Sequence, residues 1–167
     1  MRTETVPGDG NCFYMSFLAS SRAWNAWPSP KCLASIDTAM RRTLRASPLL
    51  TEQRPLLQRA AYDDPTAHGV VQWLRLVAAS QLVRDNLFDF CDKSRDRCIA
   101  ECAGMGRFAD HIFIQALVNA MDMVVSILQS DRRVIEVRPS KKVARTAGYV
   151  RVRRYADFEH YDAVVPR

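Results

Sequence analysis

The chain has 167 residues, 48% of them hydrophobic and 25% charged, with six glycines and a net charge of +6. That length and mixture suit one folded domain with a real core and exclude a low-complexity or disordered chain. No stretch approaches the roughly 18 uninterrupted apolar residues of a membrane span. The first ten residues lack the apolar run of a secretory signal, and five unevenly spaced cysteines (Cys12, Cys32, Cys91, Cys98 and Cys102) do not make a secreted disulfide framework. A reducing, cytoplasmic setting in which a thiol stays free for chemistry is the expectation.

In chain order, the first half reads as helices. A short helix follows Cys12, and Pro30 opens a second through about Ala46, with Leu33, Ile36, Met40 and Leu44 at three- and four-residue steps. Thr51, followed by Glu52 and Gln53, predicts the N-cap of a third. A long apolar-rich helix is expected from about Thr66 to Asp92, and another from Phe108 to about Met121. After Asp122 the pattern changes to strands. Met123–Gln129 is a continuous β-prone run, Arg133–Arg138 and Gly148–Tyr155 alternate apolar and basic residues, and His160–Val165 is again β-rich. Helices first and strands afterwards predict an α+β domain, with helices packed on a small, mostly antiparallel sheet.

The segment Val6-Pro7-Gly8-Asp9-Gly10-Asn11-Cys12 carries the first chemical signal. Gly8 and Gly10 permit positive φ, and a sharp turn there aims successive backbone N–H groups into one concavity suited to an oxyanion. Cys12 then sits at a helix N-terminus, where the dipole favours the thiolate. An ordinary glycine turn before a helix fits the same residues, so a base is needed. His68 precedes the long helix with no orienting partner, and His111 flanks an apolar helix stripe. His160 differs, because Asp162 follows two residues on. In a strand, residues i and i+2 share a face, with Cα atoms roughly 6.6 Å apart, so the carboxylate is in reach of the imidazole. Cys12, His160 and Asp162 thus match the logic of nucleophile, base and orienter.

Together, Asp9-Gly10-Asn11-Cys12-Phe13-Tyr14 and His160-Tyr161-Asp162 resemble the nucleophile and histidine motifs of the ovarian-tumour (OTU) family of papain-like cysteine proteases. Gly106-Arg107-Phe108-Ala109-Asp110-His111 falls where that family has an aromatic-containing motif opening its central helix. Phe108 stands where relatives often have tryptophan. The resemblance implies a papain-like OTU fold over residues 1–167 and a deubiquitinase that hydrolyses isopeptide bonds at the C-terminus of ubiquitin or a ubiquitin-like modifier. It assigns Cys12 as nucleophile, His160 as base and Asp162 as orienter. The backbone of Asp9, Gly10, Asn11 and Cys12 would form the oxyanion hole, with Asp9 helping to hold the loop. No metal or cofactor is implied. The expected partners are ubiquitin or ubiquitin-like conjugates, with no nucleic acid and no membrane, and a monomer is expected. A minimal domain from a viral polyprotein or bacterial effector acting in the host cytosol fits the short flanks.

Three other readings stay open at this stage: a polyprotein-processing protease of the same fold, a catalytically inactive binding module, and a basic nucleic-acid-binding domain. From Arg132 to Arg167 ten Lys/Arg face four acidic residues (Glu136, Asp157, Glu159 and Asp162), and Arg151, Arg153 and Arg154 suggest a cationic stripe. Asp85, Asp89 and Asp92, at roughly helical spacing, offer acidic partners to a basic substrate tail. Trp24, Trp27 and Pro28 mark a loop that is either exposed for recognition or anchored on the core. Cys98 and Cys102, with Cys91 and His111, are a poor zinc set, because no second close pair appears.

Overall fold

A computed structural model describes residues 1–141, 148–155 and 159–167. Lys142, Arg145 and Asp157, counted in the basic balance above, lie outside the described residues. The elements in chain order are β1 (Arg2–Glu4), α1 (Cys12–Ala23), α2 (Pro30–Ala46), a 3-10 segment (Pro48–Arg59), α3 (Ala67–Arg84), a 3-10 turn (Leu87–Phe90), α4 (Arg95–Ala103), α5 (His111–Met121), β2 (Met123–Leu128), β3 (Val134–Val137), β4 (Gly148–Tyr155) and β5 (His160–Val165). The described strands form one sheet in the order β1-β5-β4-β2-β3, in which β2 and β4 run parallel and the other neighbours antiparallel. The α+β class and the mostly antiparallel sheet read from the sequence are what is observed.

Helix α3 lies at the centre. Every residue from Gly69 to Leu82 is buried, because α1, α2, α4 and α5 all pack against it. Trp73 Nε1 donates to Asp37 Oδ1 at 3.0 Å, joining it to α2, and Gln72 Nε2 donates to the Ala103 carbonyl at 3.0 Å, joining it to α4. Helix α1 crosses β4 and β5, with Phe13 edge-on to Tyr161 at 5.2 Å.

Several predicted boundaries move for local reasons. The long helix ends at Arg84, not Asp92. The Asp85 N–H closes the last turn on Gln81, and Asn86 turns left-handed at φ 50°. Thr51 caps no α-helix. The segment runs as 3-10 from Pro48, and Pro55 inside it lacks the N–H an α-turn needs. Helix α5 starts at His111, whose N–H is capped by the Asp110 carboxylate at 2.6 Å, rather than at Phe108. Edge strand β1 and helix α4 have no counterpart in the sequence reading.

Candidate active site

Cys12 is the first residue of α1, and Ser16 and Ser20 follow on the same helix face. Ser16 Oγ donates to the Tyr161 carbonyl at 2.9 Å, and Ser20 Oγ to the Val164 carbonyl at 3.1 Å. One turn earlier, the Cys12 thiol donates to the Glu159 carbonyl at 3.8 Å. From Cys12 to Ser16 the helix advances about 6 Å while Glu159 to Tyr161 covers about 6.6 Å, so the two periodicities match at the thiol; by Ser20 the partner has moved three strand residues on, to Val164. The ladder of small polar side chains fixes α1 against β5 and sets the thiol beside the start of that strand, where His160 lies. A cysteine and a histidine 148 positions apart are thereby neighbours.

His160 Nε2 meets Asp162 Oδ1 at 2.8 Å, and the same oxygen accepts the Val6 N–H at 3.2 Å. Asp162 is 4% exposed, so its ties hold the imidazole plane firmly. The other ring nitrogen, Nδ1, faces the nucleophile loop, where a Cβ placed on Gly8 would lie 3.5 Å away. The thiol bonds to Glu159 rather than to His160 in this arrangement. Such contacts commonly tighten only with substrate bound.

The resting thiol is not activated as the helix-terminus argument expected. Burial raises the Cys12 pKa above its ordinary value, and the nearby Asp9 carboxylate adds to the rise. The backbone N–H groups of Tyr161, Phe13 and Cys12 pull the other way without overcoming desolvation. A neutral thiol that gives up its proton to a base is the consequence.

The nucleophile loop owes its shape to Gly10, at φ 81°; Gly8 does not take positive φ. A Cβ on Gly10 would meet the Gly106 carbonyl oxygen at 2.3 Å, so the two loops touch backbone to backbone. The Asn11 N–H donates to Asp9 Oδ1 at 3.1 Å and is thereby withdrawn from the set of oxyanion donors. Asp9 instead holds the turn, while the Cys12 and Phe13 N–H groups open α1 beside the sulfur. The Asn11 side chain makes no cap bond to its helix; its Oδ1 accepts from Gly106 N at 2.9 Å and Arg75 Nε at 3.0 Å. Arg75, fully buried in α3, is the residue at this site that sequence reasoning missed. Charge in a mid-helix position reads as surface, and its partners lie in distant loops.

An open groove runs from Glu159 and Tyr161 past Arg154, Asp110 and the exposed Phe108. His111, exposed, lines the same groove, its Nδ1 2.6 Å from Asp110 Oδ1, and His68 is exposed at the start of α3. Asp85 is spent on bonds from Gln81 and Asn119, and Asp89 and Asp92 follow the end of α3, so no acidic helix stripe exists. Trp27 packs against Trp73, and Trp24 Nε1 donates to the Val164 carbonyl at 2.7 Å, which anchors that loop. Arg151 stacks over Trp24 and Tyr149, and Arg153 over Tyr155. Arg154 has the opposite strand parity and joins the groove. Cys98 and Cys102 are buried in α4, and among the described residues no three His, Cys, Asp or Glu side chains are placed to hold a metal.

No family model and no curated protein matches the sequence. Solved structures do match. The ceOTUB1 chain of a complex with ubiquitin aldehyde and UBC13~Ub superposes at a TM-score of 0.68 with 19% identity, covering 99% of this chain and 79% of that one. The OTU domain of OTUD1 matches at a TM-score of 0.59 and 13% identity, over 98% and 85% of the two chains. This chain has the OTU fold. The OTU of Hazara virus, solved bound to ubiquitin, matches at a TM-score of 0.50 and 13% identity, over 97% and 79%. At these identities the likeness establishes an OTU fold and nothing finer.

Proposed function

We propose that the protein is a thiol isopeptidase of the deubiquitinase type, with residues 1–167 as its catalytic domain. The observation that carries this reading is the Cys12 thiol lying against the residue before His160, whose Nε2 is held by buried Asp162 at 2.8 Å, on an OTU fold. His160 Nδ1 takes the thiol proton as Cys12 Sγ attacks the carbonyl carbon of the isopeptide bond. The Cys12 N–H, with Phe13 N–H beside it, stabilises the oxyanion. His160 then protonates the departing lysine amine, leaving a thioester that water hydrolyses with His160 again as base. Asp162 orients the ring throughout and stabilises the imidazolium.

The groove reaches Glu159, whose carbonyl accepts the Cys12 thiol, and with the thiol itself only 1% exposed it suits an extended tail ending in small residues. Glu159 offers a carboxylate along it, while Asp110 is already engaged by His111, and Arg107 and Arg154 line the same groove. The experiment is reaction of the purified protein with ubiquitin carrying a C-terminal thiol-reactive warhead, beside Cys12→Ala. A covalent adduct in the wild type alone is expected. A folded wild type that forms none would refute ubiquitin as the substrate.

A further inference from the structure

Arg75 is 0% exposed, yet no carboxylate pairs with it among the described residues. Its guanidinium is spent on oxygens of three chain segments. Nε donates to Asn11 Oδ1 at 3.0 Å, Nη1 to the Cys102 carbonyl at 3.2 Å, and Nη2 to the carbonyls of Gly10, at 2.9 Å, and Arg107. The Tyr14 ring covers its face at 4.4 Å from Cζ. A charge buried without a counter-ion is costly, and an apolar side chain often serves stability as well as a buried ion does. What an arginine supplies here is direction: a planar fork of five donors imposes one arrangement on the groups it binds.

Those groups are the site's own loops. Drawing the Gly10 carbonyl inward turns that peptide so that the chain enters α1 at Cys12 in one orientation. Drawing in the Arg107 carbonyl, with Gly106 N on Asn11, seats the second loop on the first. We propose that Arg75 is the positioning residue that pre-forms the oxyanion-binding turn, clamping the Gly10–Cys12 loop to the Gly106–Arg107 loop. Its role in turnover rests on the isopeptidase reading above; the clamp itself does not. An oxyanion site is effective because its donors are fixed before reaction, and removing one costs about 10²- to 10³-fold in rate, the upper bound for loosening it.

The test compares wild type, Arg75→Lys and Asn11→Ala. Lysine keeps the charge but, with one compact ammonium, cannot span three segments. Asn11→Ala removes one of the four acceptors and keeps the question open should Arg75→Lys fail to fold. Three readouts are taken: amide hydrogen exchange, iodoacetamide alkylation of Cys12, and kcat and KM on ubiquitin with a C-terminal fluorogenic amide. Exchange at residues 8–12 and 104–107 should rise about tenfold or more while the α2 and α5 amides hold. The kcat should fall about 10²-fold with KM within about twofold, because the donors act only in the transition state. Alkylation, which needs a thiolate but no oxyanion site, should stay within about threefold of wild type. Exchange unchanged at 8–12, or raised evenly across the chain, overturns the proposal. If wild type leaves the ubiquitin amide uncleaved, the isopeptidase reading falls, and the exchange and alkylation results still decide the role of Arg75.

Discussion

Gly10→Ala, set against Gly106→Ala, tests whether the two loops must touch for the site to exist. Both glycines have positive φ, 81° and 72°. An alanine at either therefore carries a similar left-handed cost of about 1–2 kcal/mol. The surroundings differ. At Gly106 the added Cβ lies 3.5 Å from the Asp9 carbonyl oxygen, an ordinary contact. At Gly10 it lies 2.3 Å from the Gly106 oxygen, and ordinary contact begins at 3.4 Å, so the loops must part by 3.4 − 2.3 = 1.1 Å. Overpacking of that kind adds about 1–3 kcal/mol. For a chain of this size each kcal/mol lowers Tm by about 2–4 °C, which puts Gly10→Ala on the order of 10 °C below wild type and Gly106→Ala at half that or less. A displacement near 1 Å at a reacting centre costs about 10²-fold in rate. Thermal unfolding followed by circular dichroism, and kcat on a ubiquitin C-terminal fluorogenic amide, read the two effects. Equal Tm and equal kcat for the two variants would refute the reasoning.

The base and its orienter separate by severity. His160→Ala should lose about 10²- to 10⁴-fold in kcat, and Asp162→Ala less, since water can partly replace an orienter; reversed losses in steady-state kinetics would overturn the roles. Asp162→Ala should also destabilise by about 1–3 kcal/mol, measured by urea unfolding, because the Val6 N–H loses its buried acceptor. Asp162→Asn keeps an acceptor oxygen and should retain more of both. The raised Cys12 pKa fixes a sign as well. Reactive thiolate grows as pH approaches the pKa from below, so the iodoacetamide inactivation rate should climb through pH 9 without levelling. A plateau below pH 8 would reveal a preformed thiolate–imidazolium pair. Because the folded-state value is raised, Cys12 contributes stability that is complete below the unfolded-state pKa and is lost as pH rises through the folded one. Unfolding midpoints of wild type should therefore fall toward Cys12→Ala above pH 9.

The sequence by itself determined what depends on neighbours in the chain. Pro30 and the Leu33–Leu44 spacing placed α2, alternation placed β3 and β4, β-rich composition placed β5, and two short motifs held Cys12, His160 and Asp162, since an Asp two residues along a strand is within reach of its His by covalent geometry alone. Helix ends were less legible. The Asn86 turn and the Asp110 cap are each single-residue events that an apolar pattern running past them hides. Only the tertiary structure decided the rest. That Cys12 meets β5 depends on a helix–strand ladder through Ser16 and Ser20. That Asp9 holds the turn while Asn11 reaches inward depends on Arg75, 64 positions away. The thiol pKa rises rather than falls because burial outweighs the helix terminus, and burial is a property of the packed chain. Local periodicity and covalent reach are written along the sequence, whereas desolvation and long-range hydrogen bonds arise only once distant segments share a core.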